Sequence, residues 1–269
     1  MILAVFNHLL ILTLLLFPVV TASGQNTPEQ LPASEASVSP AGPTPDVETI
    51  IRTIDRVYRA DSSYARLEMR IVTENWERTL DMECWSEGMD KTFIVINAPL
   101  KDKGITTLRV GNQMWNYFPK IDRVMKIPPS MMMGSWMGSD FTNDDLVKES
   151  TFLDDYTCRL ITGEDPGCYY LELIPKPETV TVWARVVVRA GKDTLLPREQ
   201  LYYDENGTLM RRINFSDVKI LGGRKIPTVM TLLPTSKPGN KTIITYIRAE
   251  FNLALDRDTF TLRNLQKKR

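Results

Sequence analysis

The sequence predicts a single α+β domain in which a strongly curved antiparallel sheet of about eleven strands packs its concave side on one N-terminal helix. Three observations carry that prediction. Apolar residues recur at helical spacing in one convincing stretch, from Val47 to Tyr58. From Tyr64 onward the period becomes two, giving each strand one apolar and one charged face, the pattern of antiparallel sheets. Short turn signals then join successive strands, Gly111-Asn112 between ITTLRV and QMWNYF and Asn206-Gly207 between QLYYDE and TLMRRINF.

Taken in order, residues 1–22 read as an export leader. The run LLILTLLLFPVV (residues 9–20) has signal-peptide length, whereas a membrane span needs about 20 residues. Val20-Thr21-Ala22 places a small residue at each end of a cleavage triplet, with the cut after Ala22. No Lys or Arg precedes the run, and an uncleaved anchor is the alternative. Residues 23–45 are a linker, with Pro28, Pro32, Pro40, Pro43 and Pro45 among Ser, Ala, Gly and Thr. The folded domain covers residues 46–265, and residues 266–269 form a basic tail.

In the helix, Val47, Ile50, Ile51, Ile54, Val57 and Tyr58 form one stripe opposite Glu48, Arg52, Asp55, Arg56 and Arg59. Thr44 is the expected cap, with Pro45 at the first helical position. In the first strand Ala65, Leu67, Met69 and Ile71 alternate with Tyr64, Arg66, Glu68 and Arg70. In the next, Trp76, Leu80, Met82 and Cys84 share one face. The last long strand, residues 242–253, is expected to put Ile243, Ile247, Ala249, Phe251 and Leu253 on one face.

Composition excludes several functions. The chain carries 33 basic and 33 acidic residues, so it lacks the cationic excess that non-specific nucleic-acid binding requires. The single histidine is His8, inside the leader. Ser-His-Asp and Cys-His catalysis and His-ligated metal sites are therefore closed to the rest of the chain. Three cysteines cannot all pair internally. If Thr162 and Cys168 flank the turn at residues 163–167, Cys158 faces Glu172 and lies out of disulfide reach of Cys168. Three buried thiols are expected. The acidic group Asp140, Asn143, Asp144 and Asp145 lacks the spacing of a calcium loop. Thr142 and Asp145 instead form the ends of a capping box opening a short helix. Neither a metal nor a cofactor is expected.

One segment breaks the strand rhythm. Residues 128–149 place Met131, Met132, Met133 and Met137 beside Trp136 and Phe141. Methionine is flexible and polarizable, and it lines surfaces that adapt to varied apolar partners. Two readings stand: a lid over an apolar cavity, or a loop that fills its own core. The candidate lid and cavity residues are Met131, Met132, Met133, Trp136, Met137 and Phe141, together with Ile50 and Ile54 on the helix and Trp115 on a strand. Replacing Met132 and Trp136 together by Asp separates the readings, because loss of ligand uptake without unfolding belongs to a lid.

The runs RVYRADSSYARLEM, MGSWMGSDFTNDDLVKES, FSDVKILGGRKIPTVM and DRDTFTLRNL resemble the LolA-like family of bacterial outer-membrane lipoprotein-sorting proteins, over roughly residues 46 to 265. The resemblance implies an unclosed antiparallel β-barrel with helices in its concave opening. It also implies a non-enzymatic periplasmic carrier that shields the acyl chains of a lipoprotein or lipid during transfer toward the outer membrane. Acyl chains are then the cargo, an inner-membrane transporter is a candidate partner, and membrane contact is transient. The functional arginine of LolA is assigned to no position here. The alternative is an envelope interaction or assembly module with a filled cavity. An enzyme on envelope lipids or glycans would need a convergent carboxylate pair that the sequence does not display.

Overall fold

In a computed structural model of the chain, which describes residues 44–147, 151–179 and 181–267, helix α1 (Val47–Arg56) buries Ile50, Ile51 and Ile54. The expected leader and residues 23–43 of the expected linker lie outside the described residues. The cap is Asp46, not Thr44, and Pro45 falls just before it: Asp46 Oδ1 accepts the Thr49 N–H at 2.7 Å. A carboxylate there satisfies a first-turn donor and suits the positive end of the helix.

The chain then forms β1 (Ser62–Val72), β2 (Glu77–Glu87), β3 (Lys91–Ala98), β4 (Thr106–Val110), β5 (Gln113–Phe118) and β6 (Arg123–Lys126). A crossing segment holds a 3₁₀ turn at Pro129–Met131 and two short helices, α2 (Asn143–Val147) and α3 (Phe152–Asp155). There follow β7 (Tyr156–Ile161), β8 (Cys168–Pro175), β9 (Arg185–Gly191), β10 (Pro197–Tyr203), β11 (Leu209–Leu221), β12 (Arg224–Pro234) and β13 (Lys241–Phe251), then α4 (Leu262–Leu265). Among the described residues thirteen strands, not eleven, form one curled, unclosed sheet in the order β6-β5-β4-β3-β2-β1-β13-β12-β11-β10-β9-β8-β7. A strand as short as β6 has too few residues to show an alternation.

Every ladder is antiparallel. The walk starts at the middle with β1, reaches one edge at β6, crosses to the other edge at β7, and returns until β13 pairs with β1. Gly111 and Asn112 make the tight β4–β5 turn, since Val110 pairs with Gln113. Asn206 and Gly207 lie in a longer turn closed by the Asp204 N–H to Thr208 O bond at 3.0 Å.

Alternation holds in β1, where Ala65, Met69 and Ile71 are buried, and in β2, where Leu80 and Met82 are. Trp76 lies in the β1–β2 turn and is 44% exposed, so it does not share their face. β3 is buried on both sides. Ile94 and Ile96 join the concave core with Trp136, while Phe93 and Val95 pack with Leu265 of α4 on the other face. The prediction for β13 is corrected by a bulge. Arg66 pairs with Arg248 but Leu67 with Tyr246, which leaves Ile247 as the extra residue, 52% exposed. One inserted residue exchanges the two faces. Ile244 and Tyr246 therefore face the concavity before it, and Ala249 is buried with Val57 after it.

Cys158 pairs with Leu173, one residue beyond the expected Glu172, because the ladder starts at Ile161–Tyr170 and the loop is closed asymmetrically by Asp165. The disulfide stays out of reach, and no disulfide forms among the described residues. Cys168 is buried, whereas Cys84 and Cys158 are only half-buried, contrary to the expectation of three buried thiols. Among the described residues no helix is long and apolar enough to cross a membrane.

Helix α1 is held by the core of Leu171, Leu173, Val186 and Val188 beneath it. Ile50 is fully buried there, and Ile50→Ala is expected to lower stability by about 2–5 kcal/mol. The check is urea denaturation, with the midpoint falling at unchanged slope.

Candidate functional site

The crossing segment roofs the concave sheet, and the two enclose a cavity of about 430 Å³. That volume lies in the range of ligand pockets, about 300–1,000 Å³. The floor follows from strand parity: Ala65, Leu67 and Met69 of β1, Met82 of β2, Phe215 of β11, Met230 of β12 and Ile244 of β13 all point inward. Ile54 of α1, Tyr58 just past its end, and Trp136, Phe141, Leu146 and Phe152 of the crossing segment complete it.

Among the described residues the roof is fastened to the sheet at four points. An Arg78 Nη on β2 donates to Met137 O. Trp136 Nε1 donates to Thr107 Oγ1 at 3.2 Å. Thr242 Oγ1 accepts the Asp140 N–H at 2.9 Å and donates to Asp140 Oδ2 at 2.8 Å. The fourth fastening is an ion pair. Both Arg211 Nη atoms meet the two Asp145 carboxylate oxygens at 2.8 Å.

Asp145 is placed by the capping box of α2. Its Oδ2 accepts the Thr142 N–H at 2.8 Å, and its own N–H donates to Thr142 Oγ1 at 3.1 Å. Arg211 lies against a pair of touching rings, 4.5 Å from Trp183 and 4.2 Å from Tyr202. Cation–π contact suits a guanidinium withdrawn from water. Burial alone would raise the Asp145 carboxyl, but the Arg211 charge and the Thr142 donors outweigh it and hold it below the ordinary carboxylate range. Asp55 of α1 stands apart. Its carboxylate accepts the Phe152 N–H at 3.2 Å, joining α1 to α3. Burial pushes its carboxyl up to about 6, against the Phe152 hydrogen bond and the Arg59 charge.

Of the predicted residues, Ile54, Trp136 and Phe141 line the cavity. Ile50 lies in the core beside it. Met132 and Met137 pack over the Met69–Leu80 cluster, while Met131 and Met133 face outward, 53% and 48% exposed. Trp115 packs with Phe93, Leu108 and Leu265 on the opposite face of the sheet and lines no part of the cavity. Trp136 is 3% exposed, so Met132→Asp/Trp136→Asp now reads as a core disruption and no longer separates lid from core. Arg211 was missed by the sequence reading. Its signal was parity, since it shares the inward face of Ile213 and Phe215.

Cys158 packs on the core beside the cavity and is not part of its lining; burial pushes its thiol up to about 11, which suppresses its thiolate. Among the described residues no group of three His, Cys, Asp or Glu could hold a metal ion.

A family model described as "Uncharacterized protein" matches residues 88–267. No curated protein matches the chain. Among solved structures, a DUF1329 family protein from Desulfovibrio piger is 27% identical with a TM-score of 0.72, over 81% of this chain and 98% of that one. A LolA superfamily protein from Nitrosomonas europaea is 19% identical with a TM-score of 0.67, over 81% and 98%. A domain from Vibrio parahaemolyticus named for outer membrane lipoprotein sorting is 22% identical with a TM-score of 0.69, over 82% and 100%. The LolA-like fold expected from the sequence is thus the fold observed.

Two experiments test the electrostatics. Arg211→Met leaves a buried, unpaired carboxylate and is expected to cost about 3–5 kcal/mol, while Arg211→Met/Asp145→Leu recovers most of the loss; denaturation of the single and double variants measures both. The second is a pH test. Asp145 titrates below its ordinary value of 3.8, so its pairing contributes stability above the unfolded value and loses it as pH falls through the folded one. Asp55 has the opposite sign. With a folded value of about 6 against 3.8, the folded state keeps a proton that the unfolded chain releases, and stability falls as pH rises through that window. Asp55→Asn is therefore expected to match the native protein in melting temperature below about pH 4 and to exceed it by about pH 7.

Proposed function

The chain belongs to the family whose model matches residues 88–267, and from that footing we propose that it is a periplasmic carrier, shielding the acyl chains of a lipoprotein or lipid in its cavity during transfer toward the outer membrane. The carrying observation is an apolar space of about 430 Å³ between the concave sheet, α1 and the crossing segment. In this reading the leader at residues 1–22 delivers the chain to the periplasm, an inner-membrane transporter hands over the cargo, and contact with either membrane is transient. Each buried CH₂ contributes about 0.8 kcal/mol, so one long acyl chain gains on the order of 10 kcal/mol on leaving water. A carrier needs that space and no reactive group.

One observation favours a second reading, an envelope interaction module whose concavity is filled by its own side chains: Trp136 is inserted from the crossing segment into the core of Met69, Leu80 and Ile94. Mass spectrometry of lipids co-purifying with the exported protein, together with uptake of a fluorescent fatty acid, separates the two. The carrier reading expects extractable acyl lipid and saturable uptake. A domain with neither is the interaction module. Leu67 lines the cavity and is half-buried. Leu67→Asp sets a charge against the acyl chain and is expected to weaken uptake by at least about tenfold, with the far-UV spectrum unchanged.

A further inference from the structure

A second cleft opens beside the apolar cavity, at the C-terminal end of α1, with a volume of about 700 Å³. Asp55, Arg59 and Gly88 line both spaces, so the cleft continues the cavity. Its character is different. Arg56 at the end of α1, Arg59 just beyond it, and Arg224 and Lys225 from β12 converge on it, against the carboxylates of Asp55 and Asp61. The whole chain has a formal net charge of zero, so a local excess of cations stands out.

Helix electrostatics explains only part of that excess. Cations in a last turn answer the negative end of the helix, which accounts for Arg56 alone, since Arg59 lies three residues past the end of α1. Arg224 and Lys225 come from a distant strand. Arg224 is held in place, with Nη1 donating to Arg59 O at 2.6 Å and its guanidinium 4.1 Å from the Phe251 ring. Nη1 also donates to Arg56 O at 3.4 Å, so it is spent on two carbonyls while Nε and Nη2 remain as donors for a ligand. Arg56 and Lys225 are exposed and make no ion pair among the described residues. Asp55 is turned to the Phe152 N–H.

We propose that this cleft takes the anionic headgroup, a carboxylate or phosphate ester, of an amphiphile whose hydrocarbon chain lies in the apolar cavity. The inference rests on the carrier reading and names its cargo class. The geometry supports one continuous ligand: an apolar chain under the crossing segment, a boundary at Arg59 and Asp55, and an anion among Arg56, Arg224 and Lys225.

The test uses pyrene-labelled dodecanoate and its methyl ester, titrated into the folded domain at low ionic strength and followed by pyrene fluorescence. The native protein is expected to bind the acid on the order of tenfold more tightly than the ester, the sum of two or three solvent-exposed charge contacts, and added salt should narrow the gap. Arg56→Glu/Lys225→Glu should erase the preference while leaving ester binding within about twofold, which also shows that the variant folds. Equal binding of acid and ester by the native protein, or an unchanged preference in the variant, overturns the headgroup assignment and leaves the carrier reading standing. Failure of both probes to bind overturns the carrier reading and this inference with it. Inorganic phosphate alone should not displace the acid; displacement would assign the cleft to a free anion and overturn the proposal.

Discussion

The position of β1 at the centre of one continuous sheet governs the rest of the molecule. Because β1 is flanked by β2 and β13, the chain must build one wing, abandon its edge at β6, and begin again at the far edge with β7. A connection between two edges of a curled sheet has a short route across the concavity. The crossing segment is therefore placed over the apolar face by topology. Its described residues are irregular, with a single turn of 3₁₀ helix and two short helices. Such a cover cannot fill a concave surface as a long packed helix would, and a cavity remains.

A thin cover must still be held. Its fastenings are mostly polar, which would be costly inside an apolar space if any were incomplete. The Arg211–Asp145 pair meets that condition on the side of the acid, which accepts from both Nη atoms and from Thr142. The arginine rests against the touching rings of Trp183 and Tyr202. A buried pair of this kind contributes little net stability compared with an apolar substitute. It does define a single register between α2 and β11, which hydrophobic contact alone would leave free to slide.

Much of this was legible in the residues. The stripe of α1, the alternation in β1 and the two-residue turn at Gly111-Asn112 are local patterns, and local patterns survive folding. So did the Thr142–Asp145 capping box, whose acid then acquired a second partner in Arg211. What was not legible depended on distant chain. The bulge at Ile247 is a mismatch between β13 and β1, visible only when both are paired, and it reversed the expected face of that strand. Trp115 read as cavity wall because strand parity says which residues share a side, not which side the helix covers; α4, nearly 150 residues later, covers it. The methionines marked the crossing segment correctly, but the aromatic residues Trp136 and Phe141 reach the cavity while two methionines turn outward.

An unclosed sheet has two rims, and each is a template on which a second chain can zip. The rim at β6 is only four residues long and carries Arg123 and Lys126 at its ends. The rim at β7 carries Arg159, which is 70% exposed while bonded to Glu172. A short, positively charged rim meets its own copy with repulsion and little ladder to gain. The unclosed sheet is thus guarded against fibrous assembly, a protection that a closed barrel has by geometry and this chain must carry in its side chains.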